Sequence, residues 1–139
     1  MLFRSAKPNF QYLVEDLEAE LKAKYGIKAV KTHRKPGQVP VKPEVLKQFA
    51  EECDAVITGS GDSGSCTSWS IHDSVEAAKA GLPSLTVCST AFQGLGRAQA
   101  KALGHAELPI AVIPHPFGIR TRGEVKALAA DCEIGRAHV

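Results

Sequence analysis

Cys66 lies in the run Gly59-Ser60-Gly61-Asp62-Ser63-Gly64-Ser65-Cys66-Thr67-Ser68-Trp69. The apolar stretch Ala55–Thr58 before it reads as a buried strand, and the stretch from Ser68 to Ala80 after it reads as a helix. Cysteine acts as a nucleophile or redox group in its thiolate form. A glycine-rich strand-to-helix turn gathers backbone N–H groups and the positive end of a helix at one point, which favours that form. Cys66 is therefore the expected nucleophile or redox thiol. The N–H groups around Gly61, Gly64 and Ser65 would stabilise developing negative charge. Asp62 and Thr67 complete the expected substrate-binding loop. Ser63 would donate a hydrogen bond, since Ser63 and Cys66 have the spacing of a redox dithiol with oxygen in the first place. A disulfide needs two sulfurs within bridging distance, so a bridge would have to use another cysteine. Cys88, after Leu85-Thr86-Val87, is the candidate, and is assigned to the substrate-binding set; it equally reads as an ordinary buried strand cysteine. Cys53 and Cys132 read as structural.

Two histidines are candidates for acid–base work. His115 sits between Pro114 and Pro116, whose rings stiffen the backbone after an apolar run, and it is the expected general base or substrate-holding group. His72 follows Trp69 by three residues, so the two share a helix face; it reads either as an orienting or proton-accepting group or as a partly exposed helix residue. Arg120 and Arg122 read either as holders of an anionic substrate group or as a solvated helix start. His33 and His105 read as surface residues. Gly59-x-Gly61-x-x-Gly64 matches the dinucleotide fingerprint in form, but the next strand ends in Val87-Cys88-Ser89-Thr90 with no acidic residue. No His, Cys and Asp group has metal-ligand spacing, so no metal is expected, and the reading implies no bound organic cofactor.

The elements that must position these residues alternate along the chain. Helices are expected at Phe10–Tyr25, Pro43–Glu52, Ser68–Ala80, Thr90–Leu103 and Gly123–Ala130. Strands are expected at Ile27–Thr32, Ala55–Thr58, Ser84–Cys88 and Pro109–Ile113. Short alternation of this kind gives parallel pairing through right-handed crossovers. The expected fold is α/β, a three-layer open parallel sheet of Rossmann or flavodoxin type. Only Leu2-Phe3 precede the first helix as strand material, so its first strand is expected to be truncated or missing. Loops at the strand carboxyl ends, Gly59–Thr67, Cys88–Phe92 and Pro114–Gly118, should meet at one sheet edge.

The chain has 139 residues, 44% hydrophobic and 23% charged, with a formal net charge of +2. That suits one soluble domain over residues 1–132. It gives no electrostatic case for nucleic acid or an anionic membrane. No apolar run reaches membrane-spanning length. Four cysteines without CxxC spacing suggest a reducing, cytoplasmic setting. Residues 133–139 read as a non-native tail, because Ile134-Gly135-Arg136-Ala137-His138-Val139 is what a common sequencing adapter encodes in one frame.

With these residues in place, Gly61-Asp62-Ser63-Gly64-Ser65-Cys66-Thr67-Ser68-Trp69-Ser70-Ile71-His72-Asp73 resembles the hallmark of the UGSC family of selenoproteins and their cysteine homologues. The likeness extends to Lys7-Pro8-Asn9, Val87-Cys88, Arg97-Ala98-Gln99-Ala100 and Pro114-His115-Pro116. More distantly, the motif and Ile113–Pro116 resemble the selenoprotein B subunit of glycine, betaine and sarcosine reductases. The resemblance implies nucleophilic displacement or reduction by a chalcogen. Ser63 stands where that family has selenocysteine or cysteine, and a hydroxyl is a weaker nucleophile unless a base activates it. The expectation is a thiol-dependent reductase or displacement enzyme acting through Cys66, supplied with electrons by an external thiol or a thioredoxin-type reductant. The alternatives are a small-anion or nucleotide-binding module and an inactive selenoprotein paralogue.

Overall fold

The computed structural model describes residues 2–4, 9–27, 31–34, 39–117 and 119–137. Its strands are β1 (Leu2–Arg4), β2 (Thr32–Arg34), β3 (Val56–Gly61), β4 (Ser84–Ser89) and β5 (Ile110–Ile113). Its helices are α1 (Phe10–Tyr25), α2 (Pro43–Glu52), α3 (Gly64–Lys79), α4 (Gln93–Ala102) and α5 (Arg122–Ala137), with a short 3-10 turn at Thr90–Phe92. The strands form one five-stranded sheet in the order β2-β1-β3-β4-β5. Every pairing is parallel. The α/β class and the open parallel sheet follow the sequence pattern.

Alternation along the strands divides the core. Leu85 and Val87 of β4 and Ala111 and Ile113 of β5 face α1 and α5, where Phe10, Leu13, Leu17, Val125 and Ala129 complete one apolar cluster. On the opposite face Val56 packs with Phe49 of α2 and Ala77 of α3. Beside them Cys88 and Ile110 pack with Ile71 and Val75 of α3 and Ala100 of α4. Buried alternate positions on both faces produce the three layers.

Several expected boundaries move. A first strand is present: Leu2–Arg4 pairs with β2 on one side and β3 on the other, because a strand between two neighbours needs few residues to complete the ladder. The expected Ile27–Thr32 strand is instead Thr32–Arg34, while residues 28–30 and the loop at 35–38 lie outside the described residues. Gly118 and the Lys7-Pro8 pair also lie outside them. β3 continues through Gly59-Ser60-Gly61, and α3 starts at Gly64 rather than Ser68. The broad glycine-rich loop is thereby reduced to Asp62-Ser63 between strand and helix. Two glycines of β3 are required by close packing. A Cβ at Gly59 would lie 2.6 Å from the Phe10 ring, and one at Gly61 would lie 2.7 Å from Cys88 Sγ and 3.0 Å from Thr67 Oγ1. The helix expected to stop at Ala130 runs to Ala137, so part of the 133–139 segment is helical.

Candidate active site at the carboxyl edge of the sheet

β3, β4 and β5 are adjacent and parallel, so their carboxyl ends emerge at one edge. His115 follows β5 there. Its Nδ1 lies 2.9 Å from Asp62 Oδ1 and 3.0 Å from Ser89 Oγ. A carboxylate only accepts hydrogen bonds, so the proton belongs on Nδ1 and Nε2 keeps its lone pair. The Ser89 hydroxyl donates to the carbonyl of Gly61 at 3.4 Å, leaving its oxygen free to share the Nδ1 proton. The His115 backbone N–H donates to Thr90 Oγ1 at 3.1 Å, and Phe92 packs edge-on with ring centroids 5.6 Å apart. Three residues from two other strand ends thus fix this imidazole and Thr90 fixes its backbone; the side chain is 35% exposed. The expected meeting of the three loops is present, and His115 and Asp62 are brought together. Asp62 is committed to the imidazole rather than standing as an independent substrate ligand.

Ser63 is the N-cap of α3, in extended conformation, and its side chain makes no cap bond. The N–H groups of Gly64, Ser65 and Cys66 have no partner inside a helix, and none is supplied by the described residues. They form a donor-rich helix end beside a half-buried serine. Gly64 and Ser65 are exposed, and a Cβ added at Gly64 would meet nothing within 4 Å, so the space over this first turn is open. Cys66 occupies the third helical position and is 4% exposed, yet it belongs to none of the apolar clusters.

Three expected site residues are placed elsewhere. Thr67 is fully buried and its hydroxyl donates to the Ser63 carbonyl at 2.7 Å, so it closes the helix start instead of facing a substrate. Cys88 is fully buried against the backbone of Gly61 and Gly96. Burial pushes its thiol up to about 12, with Arg97 opposing that rise, so its thiolate is suppressed. His72 lies six residues beyond Cys66, about 9 Å along the helix axis and on a different face. Its ring contacts Trp69 edge-on and its Nδ1 lies 3.5 Å from Asp73 Oδ1. Neither arginine is free for an anion. Arg120 donates to the Pro116 carbonyl and to Glu124, and Arg122 pairs with Asp16 over the Tyr12 ring.

Ser89, Thr90 and Asn9 have no role assigned from sequence, although Asn9 falls within the Lys7-Pro8-Asn9 likeness. The Asn9 amide, which donates to the carbonyls of Phe117 at 3.1 Å and Arg120 at 2.8 Å, ties the turn after His115 to the start of α1. The only sequence signal for Ser89 and Thr90 is a pair of hydroxyl residues directly after an apolar strand. Among the described residues, no group of three or more His, Cys, Asp or Glu side chains could hold a metal ion. No helix among them is long and apolar enough to cross a membrane.

A sequence model described as the UGSC family matches residues 1–134, nearly the whole chain. The protein belongs to the UGSC family. No curated protein matches the chain.

Proposed function

We propose that this UGSC-family protein is a thiol-dependent enzyme that reduces a small molecule, or displaces a group from it, at the carboxyl edge of its sheet. Cys66 supplies the nucleophilic or redox sulfur, and the Asp62–His115 pair moves the proton. The observation that carries the reading is the 2.9 Å contact between His115 Nδ1 and Asp62 Oδ1. It supports an acid–base role for Nε2, because it ties His115 to Asp62, two residues before a helix start with three unpaired N–H donors. Those donors suit the negative charge that develops on a leaving group or on the attacked atom. A cytoplasmic setting and an external thiol or thioredoxin-type reductant would complete a reductive cycle.

The experiment is alkylation with limiting iodoacetamide followed by peptide mapping, on the native chain and on His115→Ala. Cys66 is expected to be labelled ahead of Cys53, and more slowly in the His115→Ala variant. Labelling of Cys53 first, at an unchanged rate in the variant, rules the thiol reading out.

The near-complete burial of Cys66 favours a second reading, a module that holds a small anion or nucleotide at the same N–H groups without covalent chemistry. Calorimetric binding of a phosphate or carboxylate compound, with Cys66 inert to iodoacetamide, would select it. An inactive paralogue would show neither property.

A further inference from the structure

We propose that the Ser63 hydroxyl is itself a nucleophile, and that Ser63, His115 and Asp62 form an acyl-transfer site for small activated carboxylic esters. The inference shares the Asp62–His115 pair with the thiol reading but does not use Cys66, so either can fail alone.

Ser63 stands at the junction of a parallel strand and the helix that follows it. A serine at a helix N-cap ordinarily bonds the N–H of the second or third helical residue. Ser63 does not: its hydroxyl makes no hydrogen bond with the described residues, and it is only half-buried. The N–H of Ser65 stays unpaired for that reason, and that of Gly64, the first helical residue, has no partner among the described residues either. A strand-to-helix serine, N–H donors directly after it, and a histidine oriented by a carboxylate are the parts that acyl transfer requires. Asp62 is the residue immediately before Ser63, so the 2.9 Å contact that holds His115 anchors the base next to the hydroxyl in the chain. Ser63 and His115 are not hydrogen-bonded in this structure; such contacts commonly tighten only when substrate arrives. The open space over Gly64 admits a small acyl group.

In the acylation step Ser63 Oγ forms a bond to the ester carbonyl carbon, and its proton passes to His115 Nε2. The carbonyl π pair moves onto oxygen, where the N–H groups of Gly64 and Ser65 receive the charge. Collapse of this adduct breaks the carbon–oxygen bond to the leaving alkoxide, which takes the proton from Nε2. Water then repeats the sequence on the Ser63 ester, releasing the carboxylic acid and restoring the hydroxyl. No electrons are exchanged with an outside donor.

The test treats the folded full chain with p-nitrophenyl acetate and follows p-nitrophenolate release. The acetyl group is then located by peptide mapping before and after neutral hydroxylamine, which cleaves thioesters in preference to oxygen esters. The expected result is a burst, with hydroxylamine-resistant acetyl on Ser63. Ser63→Ala should abolish that acetylation, and His115→Ala and Asp62→Asn should slow it by on the order of 10²–10⁴-fold. All three variants should keep the native circular dichroism spectrum, and the acylation rate of the unaltered chain should rise with pH as one group deprotonates. Acetyl on Cys66 overturns the proposal while supporting the thiol reading. Acetyl on other residues, or none in the native chain, overturns it outright.

Discussion

At the scale of single residues, His115 and Cys88 show how context sets chemistry. Both lie at the ends of apolar strands, yet one is held by hydrogen bonds at an open sheet edge and the other is sealed. Asp62→Asn keeps the shape of the partner but presents an amide that can turn its donor to Nδ1 and favour the wrong tautomer. Turnover at this site, by either nucleophile, is expected to fall by roughly 10²–10⁴-fold, and imidazole nitrogen shifts in NMR should report the tautomer change. Cys88 carries a pH prediction. Its thiol is raised from an ordinary 9.0 to about 12 by burial. The unfolded chain therefore loses this proton first, so the folded state binds more protons between the two values. The contribution of this thiol to stability is fully present below pH 9, declines above it and is lost as pH passes about 12. Urea unfolding at pH 8 and pH 10 should show the decline, with a shallower slope in Cys88→Ala whatever its stability at pH 8. The sequence marked His115 through its flanking prolines. It could not reveal that Asp62, 53 positions away, and Ser89, 26 positions away, would hold the ring, because such pairings exist only once the sheet has brought the loops together.

At the scale of elements, the junction of β3 and α3 depends on close approach. Gly61→Ala would drive a methyl into Cys88 Sγ and Thr67 Oγ1. It is expected to destabilise the fold by about 1–3 kcal/mol, measured by urea unfolding, and to displace the start of α3. Along the same strand Thr58 is buried, and its hydroxyl donates to the Ser70 carbonyl at 2.9 Å or shares with Ser74 and Thr86 at 2.8 and 2.9 Å. This polar cluster joins β3, α3 and β4 beneath the site. Thr58→Val keeps the shape but removes the shared oxygen, and an expected loss of about 1–3 kcal/mol should appear as a lower urea midpoint with unchanged m-value. Periodicity located both elements in the sequence. It placed their ends wrongly because Gly59-Ser60-Gly61 and Gly64-Ser65 have turn-like composition, and only pairing with β4 and tertiary packing make them strand and helix.

At the scale of the molecule, the sheet edge is fixed by ties between distant parts of the chain. Asn9 adopts a left-handed conformation at φ 69 and bonds two carbonyls of the turn after His115. Asn9→Ala removes both bonds and places alanine where it is strained. The expected cost is about 2–4 kcal/mol, with faster proteolysis between Pro116 and Arg120 as a local readout. The Asp16–Arg122 pair, whose guanidinium is solvent-exposed, should matter far less: Asp16→Ala is expected to leave the urea midpoint nearly unchanged. The layer architecture was legible because strand and helix periods alternate cleanly. The short β1 was not, since three residues carry too little pattern to announce a strand between two neighbours.

The division of the core into two faces also orders events during synthesis. The face built by α2, α3 and α4 draws on a contiguous middle stretch and can pack as soon as that stretch is available. The opposite face needs α1 and α5 together, and its Asn9 bond to Arg120 spans 111 positions. It must wait for nearly the whole chain, because contacts so distant in sequence close last on a growing polypeptide. His115 meets Asp62 on the same late schedule. The nascent protein therefore passes through a stage with the β3–α3 junction and Ser63 already formed but His115 not yet beside Asp62.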